Sequence, residues 1–189
     1  MSQPFVLVPN SKETKAFDIS SLLLQQRKVF YVDEVSSSSA NQLIQQLLWL
    51  ESVDAKAPIT LYINSPGGSI VDGMGIYDVI RGLSCPVHAV VTGMAASMGA
   101  IILSGCTKGQ RAIMPHGEVL LHQPLGGAQG PASDIAINAK RIIAMKEMLL
   151  KILAQNCNQP YEKLIEDCDR DYWLDPKEAV AYGICDKIL

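Results

Sequence analysis

Hydrophobic spacing changes period several times along the chain, and each change marks an element. Val29-Phe30-Tyr31-Val32 is a short β-forming run. From Ser39 to Glu51 the residues Leu43, Ile44, Leu47, Leu48 and Leu50 fall close to helical spacing, and the run Ser36 to Ser39 opens that helix. Ile59 to Ile63 returns to β-formers. Asn64-Ser65-Pro66-Gly67-Gly68-Ser69 then forms a turn cluster, and a helical pattern runs from Ile70 to Leu83. The scheme recurs: Pro86 introduces the strand Val87 to Val91, Thr92-Gly93-Met94 turns the chain, and a helix is expected from Ala95 to Leu103, ending at Gly105. Two strand, Gly-rich turn, helix units in succession predict an α/β domain. In such folds ligands gather at the carboxyl ends of strands, near helix N-termini.

The second half is patterned more sparsely. Val119-Leu120-Leu121 predicts a strand that ends at His122, followed by a loop over Gln123 to Gly130. A long helix is expected from Ala132 to Asn156, and Pro160 restarts a shorter one. Asp175-Pro176-Lys177-Glu178 combines an N-cap acid, a proline at the first helical position and an acid three residues after the cap. Gly183 suits the end of that helix. Ile184 to Leu189 closes the chain.

Bulk properties narrow the classes. The 189 residues fit a single domain over 1–189, without internal repeats. A chain of this size buries roughly 70% of its unfolded surface, so its core needs neither disulfide nor metal. Net charge is −3 with no long run of one sign, which argues against nucleic acid as a partner. No apolar stretch is long enough to span a bilayer. Met1-Ser2-Gln3-Pro4 lacks the basic and apolar regions of a secretory signal, so a cytoplasmic location is expected. Cys85, Cys106, Cys157, Cys168 and Cys185 are odd in number and show no metal-binding spacing, so they read as thiols in a reducing compartment. No metal and no cofactor is expected.

Ala95-Ala96-Ser97-Met98-Gly99 is the first candidate for chemistry. A nucleophile elbow needs small residues around its serine, and here Ala95 stands where the usual first glycine would be. A serine there lies near a helix N-terminus, whose free N–H groups can stabilise an oxyanion. Small residues for close helix packing explain the same string. Gly67-Gly68 could bring backbone donors to such a site, or could be a plain turn. A serine needs a base. His88 lies within an apolar strand, and His116 sits in the turn Pro115-His116-Gly117. His122 ends a strand and opens a Gly-rich loop, the position favoured for a site residue. Asp167, Asp169 and Asp171 are all plausible orienting acids, and the residues alone do not choose among them.

Four blocks taken together resemble the Clp protease proteolytic subunits, over nearly the whole chain. They are Leu61 to Ser69, Met94 to Ala100, His122 to Gly127, and Asp169-Arg170-Asp171 with Glu178-Ala179-Val180 and Tyr182-Gly183. The resemblance implies a ClpP/crotonase-like α/β spiral of β-β-α units with a protruding strand-helix handle. It implies an ATP-dependent serine endopeptidase acting on unfolded polypeptides, with Ser97 as nucleophile, His122 as general base and Asp171 as orienting acid. The backbone N–H groups of Gly68 and Met98 match the oxyanion donors. Substrate is expected as an added strand between Ser69-Ile70-Val71 and the loop at Leu125-Gly126. The family stacks two heptameric rings and is fed by a hexameric AAA+ unfoldase. Residues 1–18 match the axial segment and residues 123–157 the ring-joining handle, with Asp134 and Arg170 at the ring contact. Leu48, Tyr62 and Leu189 match the region where the ATPase docks.

Departures from the family's commoner wording fall at Phe5 to Pro9, Val32-Asp33-Glu34-Val35, Pro131 and Tyr172-Trp173. They bear on assembly rather than on Ser97, His122 or Asp171. Two alternatives follow: a weakly active or structural subunit of a mixed ring containing a second paralogue, or an acyl-CoA enzyme of the crotonase type. The ordered Ser97, His122 and Asp171 blocks argue against the latter.

Overall fold

The structure is a computed structural model that describes residues 5–9 and 14–189. Of the axial segment expected at 1–18, residues 1–4 and 10–13 lie outside the described residues. The remainder forms an antiparallel pair, β1 (Phe5–Pro9) with β2 (Thr14–Asp18), followed by the short helix α1 (Ile19–Gln25).

The core is a mostly parallel sheet with helices packed against it. Strands β3 (Lys28–Tyr31), β4 (Ile59–Ser65), β5 (Val87–Ala96), β6 (Arg111–Ile113) and β9 (Lys187–Ile188) lie side by side in that order. The sheet forks at β5. Its first half pairs with β6, and its second half, Met94 to Ala96, pairs with β7 (Glu118–Leu121). β7 in turn pairs antiparallel with β8 (Tyr172–Leu174).

Local sequence explains the helices. α2 (Ser37–Val53) starts with a reciprocal capping box between Ser36 and Ser39 and buries Ala40, Leu43, Leu47 and Leu50, one stripe at helical spacing. α3 (Ile70–Gly82) is capped by Ser69. α4 (Met98–Gly105) is buried along its whole length. α5 (Ala132–Cys157) is followed by α6 (Tyr161–Asp167) and α7 (Pro176–Tyr182). α7 carries the Asp175/Glu178 capping box, and Gly183 takes the left-handed position after it. All five cysteines are free and buried. No helix among the described residues is long and apolar enough to cross a membrane.

One expectation is corrected. Thr92-Gly93-Met94 is not a turn: β5 continues through it to Ala96, and α4 begins at Met98 rather than Ala95. Gly93 is required for another reason, because a side chain there would collide with the Asn64 amide. α3 begins at Ile70, where its helical pattern starts, so Ile70 and Val71 form its first turn directly after Ser69.

α5 has two unlike halves. Its buried residues are Leu149, Leu150, Leu153 and Cys157, all near the C-terminal end. The N-terminal half stands clear of the core with Ile135, Ile137 and Ile143 exposed. A helix of 26 residues is roughly 39 Å long, so about half of it projects.

Candidate active site

Ser97 occupies the junction between β5 and α4. Its backbone is at φ 54°, ψ −119°, a positive-φ conformation that costs a non-glycine residue about 1–3 kcal/mol. Two contacts hold it there. The Ser97 N–H donates to the Leu120 carbonyl at 2.9 Å, and the Gly67 loop presses from the other side. A Cβ added at Gly67, itself at φ 91°, would sit 2.6 Å from Ser97 Cβ and 2.7 Å from the Ala96 carbonyl oxygen. Gly67→Ala is therefore expected to displace the serine turn and lower kcat/KM for peptides at least a hundredfold, on the scale of losing positioned geometry. Steady-state kinetics beside the thermal midpoint would check this, and wild-type kcat/KM in the variant would refute it.

The backbone around Ser97 presents donors. Met98 is the first residue of α4, so its N–H has no intrahelical acceptor. Val35 forms a parallel bridge with Gly68, donating to the Gly67 carbonyl at 2.7 Å and accepting from the Ser69 N–H at 2.7 Å. That pattern turns the N–H of Gly68 itself to the opposite side. Both donors border the cleft that contains Ser97 and His122.

The cleft has a volume of about 420 Å³. Ile70, Met98, Ile101, Leu125, Leu149 and Leu153 give it a largely apolar wall. Ser69 caps α3 at its edge, and Val71 is exposed outside the lining. Gly126 lies in the loop after His122, close against Ile142 of α5.

His122 and Asp171 are brought together by strand pairing. The antiparallel ladder sets Leu121 opposite Tyr172, so the next residue on one strand faces the previous residue on the other. His122 Nδ1 lies 3.6 Å from Asp171 Oδ1, with the histidine side chain 15% exposed and the aspartate 67% exposed. That separation is an ion-pair distance, beyond a hydrogen bond. Among the described residues no hydrogen bond joins the Ser97 hydroxyl to His122.

The other acids are occupied elsewhere. Asp167 accepts from Tyr182 Oη at 2.8 Å and pairs with Lys163 Nζ at 2.8 Å. Asp169 pairs with Arg170 at 3.7 Å, both exposed, and its carbonyl accepts from Gln123 Nε2 at 2.8 Å. His88 lies on β5, where burial and then the Lys187 ammonium hold its imidazole below the usual value. His116 is exposed in its turn.

The remaining expected positions lie apart from the cleft. Asp134 is in the exposed first turn of α5. Leu48 and Leu189 are exposed, and Tyr62 stacks on Phe30 with ring centroids 4.7 Å apart. Sequence reasoning missed Glu34, which lines the cleft beside Gly68. Its only signal was the unusual Val32 to Val35 wording.

A strained serine at a helix N-terminus, free backbone donors and a histidine across an apolar cleft make up a site suited to acyl transfer. Comparison with known proteins gives the class. A family model described as Clp protease matches residues 11–189. The chain is 45% identical to ATP-dependent Clp protease proteolytic subunit 2 of Parasynechococcus marenigrum (strain WH8102), covering 98% of this chain and 94% of that protein. It is 46% identical to ATP-dependent Clp protease proteolytic subunit 1 of Prochlorococcus marinus (strain NATL2A), covering 98% and 95%. This chain belongs to the Clp protease family, and it is a serine endopeptidase.

Proposed function

We propose that this chain is the proteolytic subunit of an ATP-dependent Clp protease and hydrolyses unfolded polypeptides through Ser97, His122 and Asp171. The observation that carries the reading is Ser97 held at positive φ at the N-terminus of α4, facing His122 across the cleft. His122 takes the hydroxyl proton as Ser97 Oγ attacks the peptide carbonyl. The oxyanion is stabilised by the N–H groups of Gly68 and Met98. His122 then protonates the leaving amine. Water hydrolyses the acyl-enzyme by the same route, and Asp171 holds the imidazole throughout. Substrate main chain pairs with Gly68-Ser69 on one side and Leu125-Gly126 on the other, with the apolar wall taking a side chain.

The subunit works as an oligomer, two stacked heptamers, in the cytoplasm with a hexameric ATPase. The projecting half of α5, with its exposed isoleucines, supports a ring-joining role for residues 123–157 and for Asp134 and Arg170 nearby. Leu48, Tyr62 and Leu189 supply apolar surface for the ATPase.

A second reading draws on the 3.6 Å gap between His122 and Asp171 and the exposure of Asp171. Here the chain becomes competent only beside a second paralogue in a mixed ring. Fluorophosphonate labelling, with native mass measured on the same sample, separates the two. Labelling of Ser97 in the homo-oligomer supports a self-sufficient peptidase. Labelling only after a paralogue is added supports the mixed ring.

A further inference from the structure

The cleft wall carries one carboxylate. Glu34 is the only acidic residue among the described residues that line it, and no lysine or arginine lines it. The backbone of Glu34 is fixed from both sides. Its carbonyl accepts from Ser39 Oγ at 2.7 Å, and the next residue, Val35, bridges Gly67 and Ser69. The side chain lies against Gly68: a Cβ added there would sit 3.0 Å from Glu34 Cγ. Among the described residues the Glu34 carboxylate has no hydrogen-bond or ion-pair partner. An exposed, unpaired carboxylate on a fixed stretch of backbone therefore stands at the rim of an otherwise largely apolar cleft, next to Gly68.

We propose that Glu34 sets substrate specificity by binding a lysine or arginine side chain close to the scissile bond. This rests on the peptidase reading above and adds a charge preference to it. An apolar cleft alone discriminates side chains by size and hydrophobicity. An anion at its edge adds attraction for a cation and repels an acidic side chain in the same place.

The test uses the assembled enzyme and internally quenched peptides that differ at one position at a time, within two residues of the cleaved bond. Each position carries Lys, Gln or Glu. At one position the wild type is expected to favour Lys over Glu about tenfold in kcat/KM. The ratio is the readout, so it does not depend on how active a variant is overall. Glu34→Gln is expected to bring the Lys-to-Glu ratio close to one, and Glu34→Lys to invert it. The wild-type ratio is also expected to shrink at about 1 M salt, where charges are screened within about 3 Å. Identical ratios in wild type and Glu34→Gln, with Gln peptides cleaved, would overturn the role of Glu34 alone. Failure of the wild type to cleave any peptide would overturn the peptidase reading and this proposal together.

Discussion

Replacing Ser97 with alanine is expected to lower kcat for peptide hydrolysis roughly a million-fold, the scale seen when a serine peptidase loses its nucleophile. The fold should be little affected. The Ser97 side chain makes no capping hydrogen bond to α4, so its hydroxyl supports no local structure. Alanine also keeps the Cβ, so the positive-φ turn carries the same strain before and after the change. His122→Ala should fall to a similar level, because either loss leaves the other group without its partner. The double variant should be little worse than the single ones, since groups that act as a unit do not contribute additively. Initial rates, set beside native mass, check both halves of the expectation. Appreciable cleavage by purified Ser97→Ala would remove Ser97 from the mechanism.

Much of the scaffold around Ser97 is written locally. The cap at Ser36, the stripe from Ala40 to Leu50, the alternation from Ile59 to Ile63 and the Asp175-Pro176 start of α7 each depend on neighbours within a few residues. Gly93 misled because its absence of a side chain serves the Asn64 amide rather than a turn. The choice among Asp167, Asp169 and Asp171 is not local at all. It depends on the register of β7 against β8, whose residues are some fifty positions apart in the chain. Periodicity carries no information about that pairing, and only the resemblance had pointed to Asp171. Glu34 is hidden for the same reason. Its place in the cleft comes from a bridge between Val35 and Gly68, which neither segment announces alone. Short strands such as β6, β8 and β9 have two or three residues each, too few for an alternating pattern.

Replacing Arg111 with methionine is expected to be the most damaging change outside the cleft. Arg111 is 2% exposed, and its partner Asp186 is 17% exposed. Its guanidinium makes a two-point pair with Asp186 at 2.6 and 2.9 Å. It also donates to the Gly183 carbonyl at 2.8 Å and the Asn156 carbonyl at 3.2 Å. One side chain thus joins β6, the end of α5 and the segment after α7. Methionine fills similar space but leaves a nearly buried carboxylate without its countercharge and two carbonyls unpaired. Breaking such a pair costs about 3–5 kcal/mol. At about 2–4 °C per kcal/mol for a chain of this size, the thermal midpoint should fall by roughly 10 °C. Comparison needs a fixed subunit concentration, because assembly shifts the midpoint. Adding Asp186→Asn should restore more than half of the loss. It removes the stranded charge while keeping an acceptor for the backbone N–H of residue 111, which Asp186 now takes at 2.8 Å. The pH dependence follows from Asp186. Burial pushes its carboxyl up, but hydrogen bonds from the Arg111 side chain and backbone outweigh that and leave it below the usual range. A group depressed in the folded state stabilises it above the unfolded value of about 3.9 and loses that contribution as pH falls through the folded value. The gap in midpoint between wild type and Arg111→Met should therefore be widest near neutrality and narrow below about pH 4. A gap that stays constant as the pH falls would mean that Arg111 stabilises the fold by packing rather than by its pair with Asp186.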